Sequence, residues 1–197
     1  MRQRRSRCSR HFEAGDPQVS QAAQRLFFAL WPDSSLCKAL HDLGQRMREE
    51  AGGRVVAANR MHLTLVFLGD VPVTRTDGLY AVGDALQTPQ FELELTRTGV
   101  WKRSAVGWIA PGTLPDALEQ LVGSLRRHLV DAGFAVEQRP FKPHVTLLRK
   151  VRRELKAEQV DLSYRWIVDS FSLVRSQTFQ TGPAYTSLRT WRLNQTG

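Results

Sequence analysis

Apolar positions along the chain keep two rhythms, one with the period of strands and one with the period of helices. "RLFFALWP" (25–32) is a continuous apolar, β-rich run ended by Pro32, which predicts a buried strand. Leu36, Leu40, Leu43 and Met47 then share one helical face, with Asp33 or Ser34 ahead to cap it and "AGGR" (51–54) behind to stop it. "MHLTLVFLG" (61–69) is the next strand, closed by Gly69. "VPVTRTDGLYAVGDAL" (71–86) reads as a helix with Leu79, Val82 and Leu86 on one face and a capping box from Thr74 to Asp77. "FELELTRTGVW" (91–101) alternates cleanly, and "AVGWIAP" (105–111) is its expected hairpin partner. Between 114 and 133, Leu114, Leu118, Leu121, Leu125 and Leu129 form a helical stripe, with Gly133 placed to end it. "KPHVTLLRK" (142–150), "WIVDSFSLVRSQ" (166–177) and "YTSLRTWRL" (185–193) complete the set as strands, the last two as an antiparallel pair.

The predicted order, β-α-β-α-β-β-α-β-β-β, describes an α+β fold of antiparallel sheets with flanking helices. A helix followed by a strand carrying His-x-Thr occurs in each half. That weak internal repeat suggests two pseudo-symmetric lobes around a central cleft, so residues 24–197 are read as a single bilobal domain. Residues 1–23 are set apart as a basic tail. Its first ten residues hold five arginines with no apolar run behind them, which excludes a secretory signal, and Glu13 and Asp16 argue against a transit peptide. A disordered tail or an over-extended start of translation accounts for it. "LFFALW" (26–31) is too short to cross a membrane.

Composition sharpens the choice of partner. A hydrophobic share of 42% in 197 residues allows a proper core, and a net charge of +9 favours anionic partners, chiefly nucleic acid or phosphorylated small molecules. The cysteines are Cys8 and Cys37 alone, too few for a disulfide framework or a Cys-type zinc site, and the chain reads as cytoplasmic.

Chemistry is concentrated in the repeated motif. On a strand, side chains alternate faces, so His62 and Thr64 share one face while Leu63 and Leu65 share the other; His144 and Thr146 stand likewise against Val145 and Leu147. If the two polar faces line one groove, two imidazoles and two hydroxyls converge. Two imidazoles can hold opposite protonation states near neutral pH, which suits in-line displacement at phosphorus. The hydroxyls can donate to the non-bridging oxygens. Nothing in this set requires a metal or another cofactor.

With "RLFFALWP", "NRMHLTLVFLGDV" (59–71) and "RPFKPHVTLLRK" (139–150) side by side, the chain resembles the 2H phosphoesterase superfamily. Within it, the chain is similar to the bacterial RNA 2′,3′-cyclic phosphodiesterases, also named 2′-5′ RNA ligases. The resemblance runs from about Arg25 to the C-terminus. It implies a bilobal α+β fold and metal-independent opening of 2′,3′-cyclic phosphate RNA ends to 2′-phosphomonoesters. It also implies a reversible, ATP-independent 2′-5′ joining of RNA. Carried over, His62 and His144 are the catalytic pair and Thr64 and Thr146 hold phosphate. We take His144 as the base and His62 as the acid, a direction that stays open at this point. A basic residue after the second motif matches Arg149, whereas strict alternation points Lys150 toward the His144 face; both are kept as phosphate-binding candidates, Arg149 first.

Arg60 and Phe141 are candidate RNA contacts. Phe28 and Trp31 are weaker candidates for stacking a base, with core packing the better account of Phe28. His11, His41 and His128 are read as tail or surface residues. The expected partners are RNA with 2′,3′-cyclic phosphate ends or cyclic nucleotides, with no membrane, no metal, and a monomeric chain. A non-catalytic RNA-binding module using the same basic cleft is the alternative. A metallohydrolase lacks ligands, since neither motif brings a neighbouring carboxylate.

Overall fold

The first strand, β1 (Ala23–Leu30), is apolar on both faces because both faces are covered. Leu26, Phe28 and Leu30 enter the main core, while Phe27 and Ala29 join Val174 in a smaller cluster on the other side. The computed structural model describes residues 22–155, 158–180 and 182–194. Of the tail expected over 1–23, positions 1–21 lie outside the described residues, and β1 begins at that stretch's last residue, Ala23.

The Asp33 carboxylate accepts the Leu36 N–H at 2.8 Å and starts α1 (Ser34–Ala51), whose buried face includes Leu36, Leu40, Leu43 and Met47. Gly52, at φ 68°, ends it. A two-residue strand, β2 (Arg54–Val55), and a 3₁₀ turn over Ala58–Arg60 lead into β3 (Leu63–Pro72). Gly69, at φ 73°, does not close β3, which runs three residues further. The next helix, α2 (Thr76–Asp84), is shorter than expected and starts after Arg75, which makes no side-chain capping bond, because a 3₁₀ turn occupies Val73–Arg75. The hairpin of β4 (Phe91–Trp101) and β5 (Val106–Pro111) and the helix α3 (Asp116–Asp131) form as their patterns predict. After β6 (Val145–Arg149), the run expected over 166–177 is split at Asp169 between β7 (Glu158–Val168) and β8 (Ser170–Phe179), and β9 (Gly182–Arg192) pairs with β8.

All strand pairs are antiparallel, in the order β7-β4-β5-β6-β3-β1-β8-β9, with β2 added beside β6. Two four-stranded halves meet at the β3–β6 seam. A single residue, Asp169, connects β7 at one edge with β8 near the other, so the sheet must curl until its ends approach. That crossing explains the split strand: the chain changes lobe at Asp169, whose carboxylate takes the Ser170 hydroxyl and an Arg192 N–H.

Helices cross between lobes. The helix leaving β1, α1, packs on β6, β2 and β7, whereas α3, which leaves β5, packs on β3 and α2. Each half therefore has its convex face covered by a helix drawn from the other. This exchange leaves the concave face open along the seam, where both His-x-Thr motifs lie.

Candidate active site

Leu63 pairs with Val145 at the seam, and these are the residues that follow the two motif histidines. Continuing that antiparallel register by one residue each way sets His62 across from Thr146 and Thr64 across from His144. Directly opposed residues have Cβ atoms about 4.5–5.5 Å apart. The seam thus gathers two imidazoles and two hydroxyls on one face. All four line one cavity of about 370 Å³, together with Arg54, Val55, Val56, Ala57, Arg60, Arg149, Pro183 and Tyr185.

The two histidines are held alike. His62 Nδ1 lies 2.8 Å from the Arg60 carbonyl, and His144 Nδ1 lies 2.8 Å from the Lys142 carbonyl. A carbonyl only accepts, so each Nδ1 carries the hydrogen and each Nε2 is left with its lone pair free. Among the described residues, neither threonine hydroxyl has a hydrogen-bond partner, so both are free to donate.

Burial pulls the His62 imidazole down from 6.5 to about 4, against the Arg60 carbonyl, which favours the charged ring; His144 and Arg149 push it lower. His144 is lowered too, first by burial and then by Arg149, against the Lys142 carbonyl. Both rings are therefore neutral in the free protein at neutral pH. The ring of His62 is walled by Phe27, Trp31 and Tyr185, with centroids at 5.1, 5.1 and 5.0 Å. His144 and Trp101 meet in a T-shaped pair with ring centroids 4.5 Å apart.

A β-bulge sets which of Arg149 and Lys150 faces the cavity. Thr146 pairs with Trp108 and Leu148 with Gly107, so Leu147 is an extra residue in β6. The bulge resets the alternation, returns Arg149 to the Thr146 side and places it in the cavity wall. Lys150, exposed and at φ 57°, is not among the lining residues. The first motif repeats the device: Ala29 pairs with Thr64 and Phe28 with Val66, leaving Leu65 as the extra residue.

Arg60 lines the cavity, and its guanidinium lies against Gly182, where a Cβ would come within 2.8 Å of Nη1. Phe141 does not line it; its half-buried ring packs against the main core. Phe28 is fully buried, whereas Trp31 contacts His62. His128 bonds the Ser124 carbonyl within α3, His41 is on α1, and His11 lies outside the described residues. Sequence reasoning missed Arg54, Tyr185 and Trp101. They arrive from β2, β9 and β4, and nothing in their local patterns sets them apart. Among the described residues, no group of three or more His, Cys, Asp or Glu is gathered to hold a metal ion, and no helix is long and apolar enough to cross a membrane.

Comparison with known proteins places the chain in a family. The family model described as the 2′-5′ RNA ligase superfamily matches residues 32–178. The RNA 2′,3′-cyclic phosphodiesterase of Escherichia coli (strain K12) is 35% identical over 173 residues, covering 87% of this chain and 98% of that protein. The protein of the same name from Thermus thermophilus is 32% identical over 184 residues, covering 86% and 90%. Among solved structures, E. coli LigT complexed with 3′-AMP matches at a TM-score of 0.81 with 32% identity, covering 88% of this chain and all of that one.

Proposed function

This chain belongs to the 2′-5′ RNA ligase superfamily, and from that premise we propose that it hydrolyses RNA 2′,3′-cyclic phosphate ends to 2′-phosphomonoesters through His62 and His144. The single observation that carries the reading is the β3–β6 seam, which opens both imidazoles and both threonine hydroxyls onto one arginine-bearing cavity. Curated relatives named RNA 2′,3′-cyclic phosphodiesterase supply the substrate class.

Water attacks phosphorus in line with the 3′ oxygen. Nε2 of His144 takes the proton of the water, and the P–O3′ bond breaks as protonated His62 delivers its proton to the departing oxygen. His62 is neutral in the free protein, but an anionic phosphodiester beside it favours the charged ring, so substrate binding loads the acid. Thr64, Thr146 and Arg149 hold the non-bridging oxygens, whose charge needs fixed donors more than it needs reorganising solvent. Arg60 meets RNA phosphate at the rim. With a 5′-hydroxyl in place of water, the same two proton transfers give a 2′-5′ linkage without ATP.

Both motif strands contribute to one cavity across the β3–β6 seam, which supports one bilobal unit from Ala23 onward. Two cysteines and no disulfide framework in the sequence fit a cytoplasmic setting. The test is turnover of a 2′,3′-cyclic nucleotide in excess EDTA with the product identified. Undiminished activity and a 2′-phosphate are expected; loss of activity in EDTA, or a 3′-phosphate, overturns the mechanism.

A further inference from the structure

Cavity charge exceeds what one phosphodiester can neutralise. Arg54, Arg60 and Arg149 all line it, and no carboxylate does. Among the described residues, none of the three guanidinium groups has a hydrogen-bond or ion-pair partner. Arg54 and Arg149 are also directly opposed across the β2–β6 pair. Like charges directly opposite on neighbouring strands are destabilising, so this wall is relieved when anions lie against it. The reacting cyclic phosphate carries one negative charge, and both histidines are neutral before it binds.

We infer that Arg54, with Arg60, forms a second anion subsite that takes the phosphate on the 5′ side of the terminal ribose. The inference rests on the cyclic phosphodiesterase reading above and deepens it. The direction follows from the substrate: its 2′ and 3′ oxygens are both tied to the reacting phosphorus, so the nearest other phosphate lies one ribose away on the 5′ oxygen. A cavity of about 370 Å³ falls at the low end of the range of ligand pockets, about 300–1,000 Å³. It has room for a nucleotide and not just for a phosphate. Arg54 enters on the short strand β2, and Arg60 on the 3₁₀ turn that also fixes His62 through its carbonyl. One segment of about seven residues therefore links the recognition of the upstream phosphate to the placement of a reacting imidazole. The enzyme should accordingly distinguish chain ends from bare cyclic nucleosides.

The experiment compares kcat/KM for adenosine 2′,3′-cyclic phosphate with that for the same nucleotide carrying a 5′-phosphate. A charge-assisted contact to an added phosphate predicts a preference of about tenfold to a hundredfold for the 5′-phosphorylated form. In Arg54→Ala that ratio should fall at least about fivefold, and Arg54→Lys should restore part of it. The salt dependence of kcat/KM should be steeper for the 5′-phosphorylated substrate, by about 0.7 in log–log slope per phosphate engaged. Equal kcat/KM for the two substrates in the parent protein, with turnover of both, overturns the subsite and leaves the phosphodiesterase reading standing. An unchanged ratio in Arg54→Ala overturns the assignment of Arg54. No turnover of either substrate overturns the reading and the subsite together.

Discussion

The two motif strands are near copies up to one position, where one carries a phenylalanine and the other an arginine. Both begin with a histidine whose Nδ1 is held by the carbonyl two residues back, both carry a threonine into the cavity, and both take a bulge at the following leucine, Leu65 or Leu147. Beyond the bulge, the β3 strand presents Phe67, covered by the Arg25 guanidinium at 4.7 Å, whereas β6 presents Arg149 to the cavity. The walls differ as well: three aromatic rings surround His62 and one meets His144. Repetition brings two similarly held imidazoles to one cavity, as the proposed mechanism requires. The departures from it give the two rings different walls and place an arginine beyond one bulge and a phenylalanine beyond the other.

The strongest way to break the comparison is to remove one imidazole at a time. His62→Ala and His144→Ala should each lower kcat on a 2′,3′-cyclic nucleotide by about 10²–10⁴-fold, with circular dichroism unchanged. A substrate with sulfur in place of the 3′ bridging oxygen then separates the two. Thiolate departs without a proton, so His62→Ala should recover most of its loss on this substrate while His144→Ala should not. Recovery in the His144 variant instead exchanges the acid and the base. Equal recovery in both removes the asymmetry.

Next in size is the residue after each bulge. Arg149→Ala should lower kcat/KM about tenfold to a hundredfold, the worth of a charged hydrogen bond to phosphate, with Arg149→Lys between it and the parent. Phe67→Ala, at the matching point of the other strand, should change kcat/KM less than about threefold. A loss at Phe67 as large as that at Arg149 would mean that both post-bulge positions face the reacting group.

That pair also marks where sequence stops being informative. The strands, the helical stripes and the shared face of His62 with Thr64 and of His144 with Thr146 follow from period alone. The side to which Arg149 turns does not, because a bulge is a one-residue slip that leaves no mark in an apolar run such as "VTLL". Alternation pointed to Lys150, and only the family resemblance favoured Arg149. The split at Asp169 left only a small mark: Asp169 and Ser170 are two polar residues in succession, and the buried positions pass from 166 and 168 to 171 and 173 where the chain leaves one lobe for the other. Tyr185, Trp101 and Arg54 are ordinary strand residues until the sheet curls, and only tertiary pairing brings them to the histidines.

The walls of the two rings make a prediction about stability. His62 is held near 4 when folded and titrates near 6.5 when unfolded, so the unfolded chain takes up a proton first as pH falls. The stability linked to this ring is complete above pH 6.5 and is lost as pH drops from 6.5 toward 4, by roughly 3 kcal/mol at most. His144, lowered for the same reason, adds a loss in the same direction. Carboxylates also titrate in this range, so the informative quantity is a difference. The fall in Tm between pH 7 and pH 4.5 should be larger for the parent than for His62→Gln. Identical falls would mean that the folded ring is not desolvated.

The smallest effect tests which wall holds the ring down. Burial is the chief cause of the lowered His62 pKa, and Trp31 supplies one of three aromatic faces around it. Trp31→Ala should admit water on that side and raise the His62 pKa by about one unit, a partial return because Phe27 and Tyr185 remain. Trp101→Ala should raise the His144 pKa and leave His62 where it was. Proton–nitrogen NMR titration of the two imidazoles reads both at once. If either substitution moves both rings equally, the coupling between the histidines outweighs their separate walls, and the contrast between the lobes lies in Arg149 and Phe67 alone.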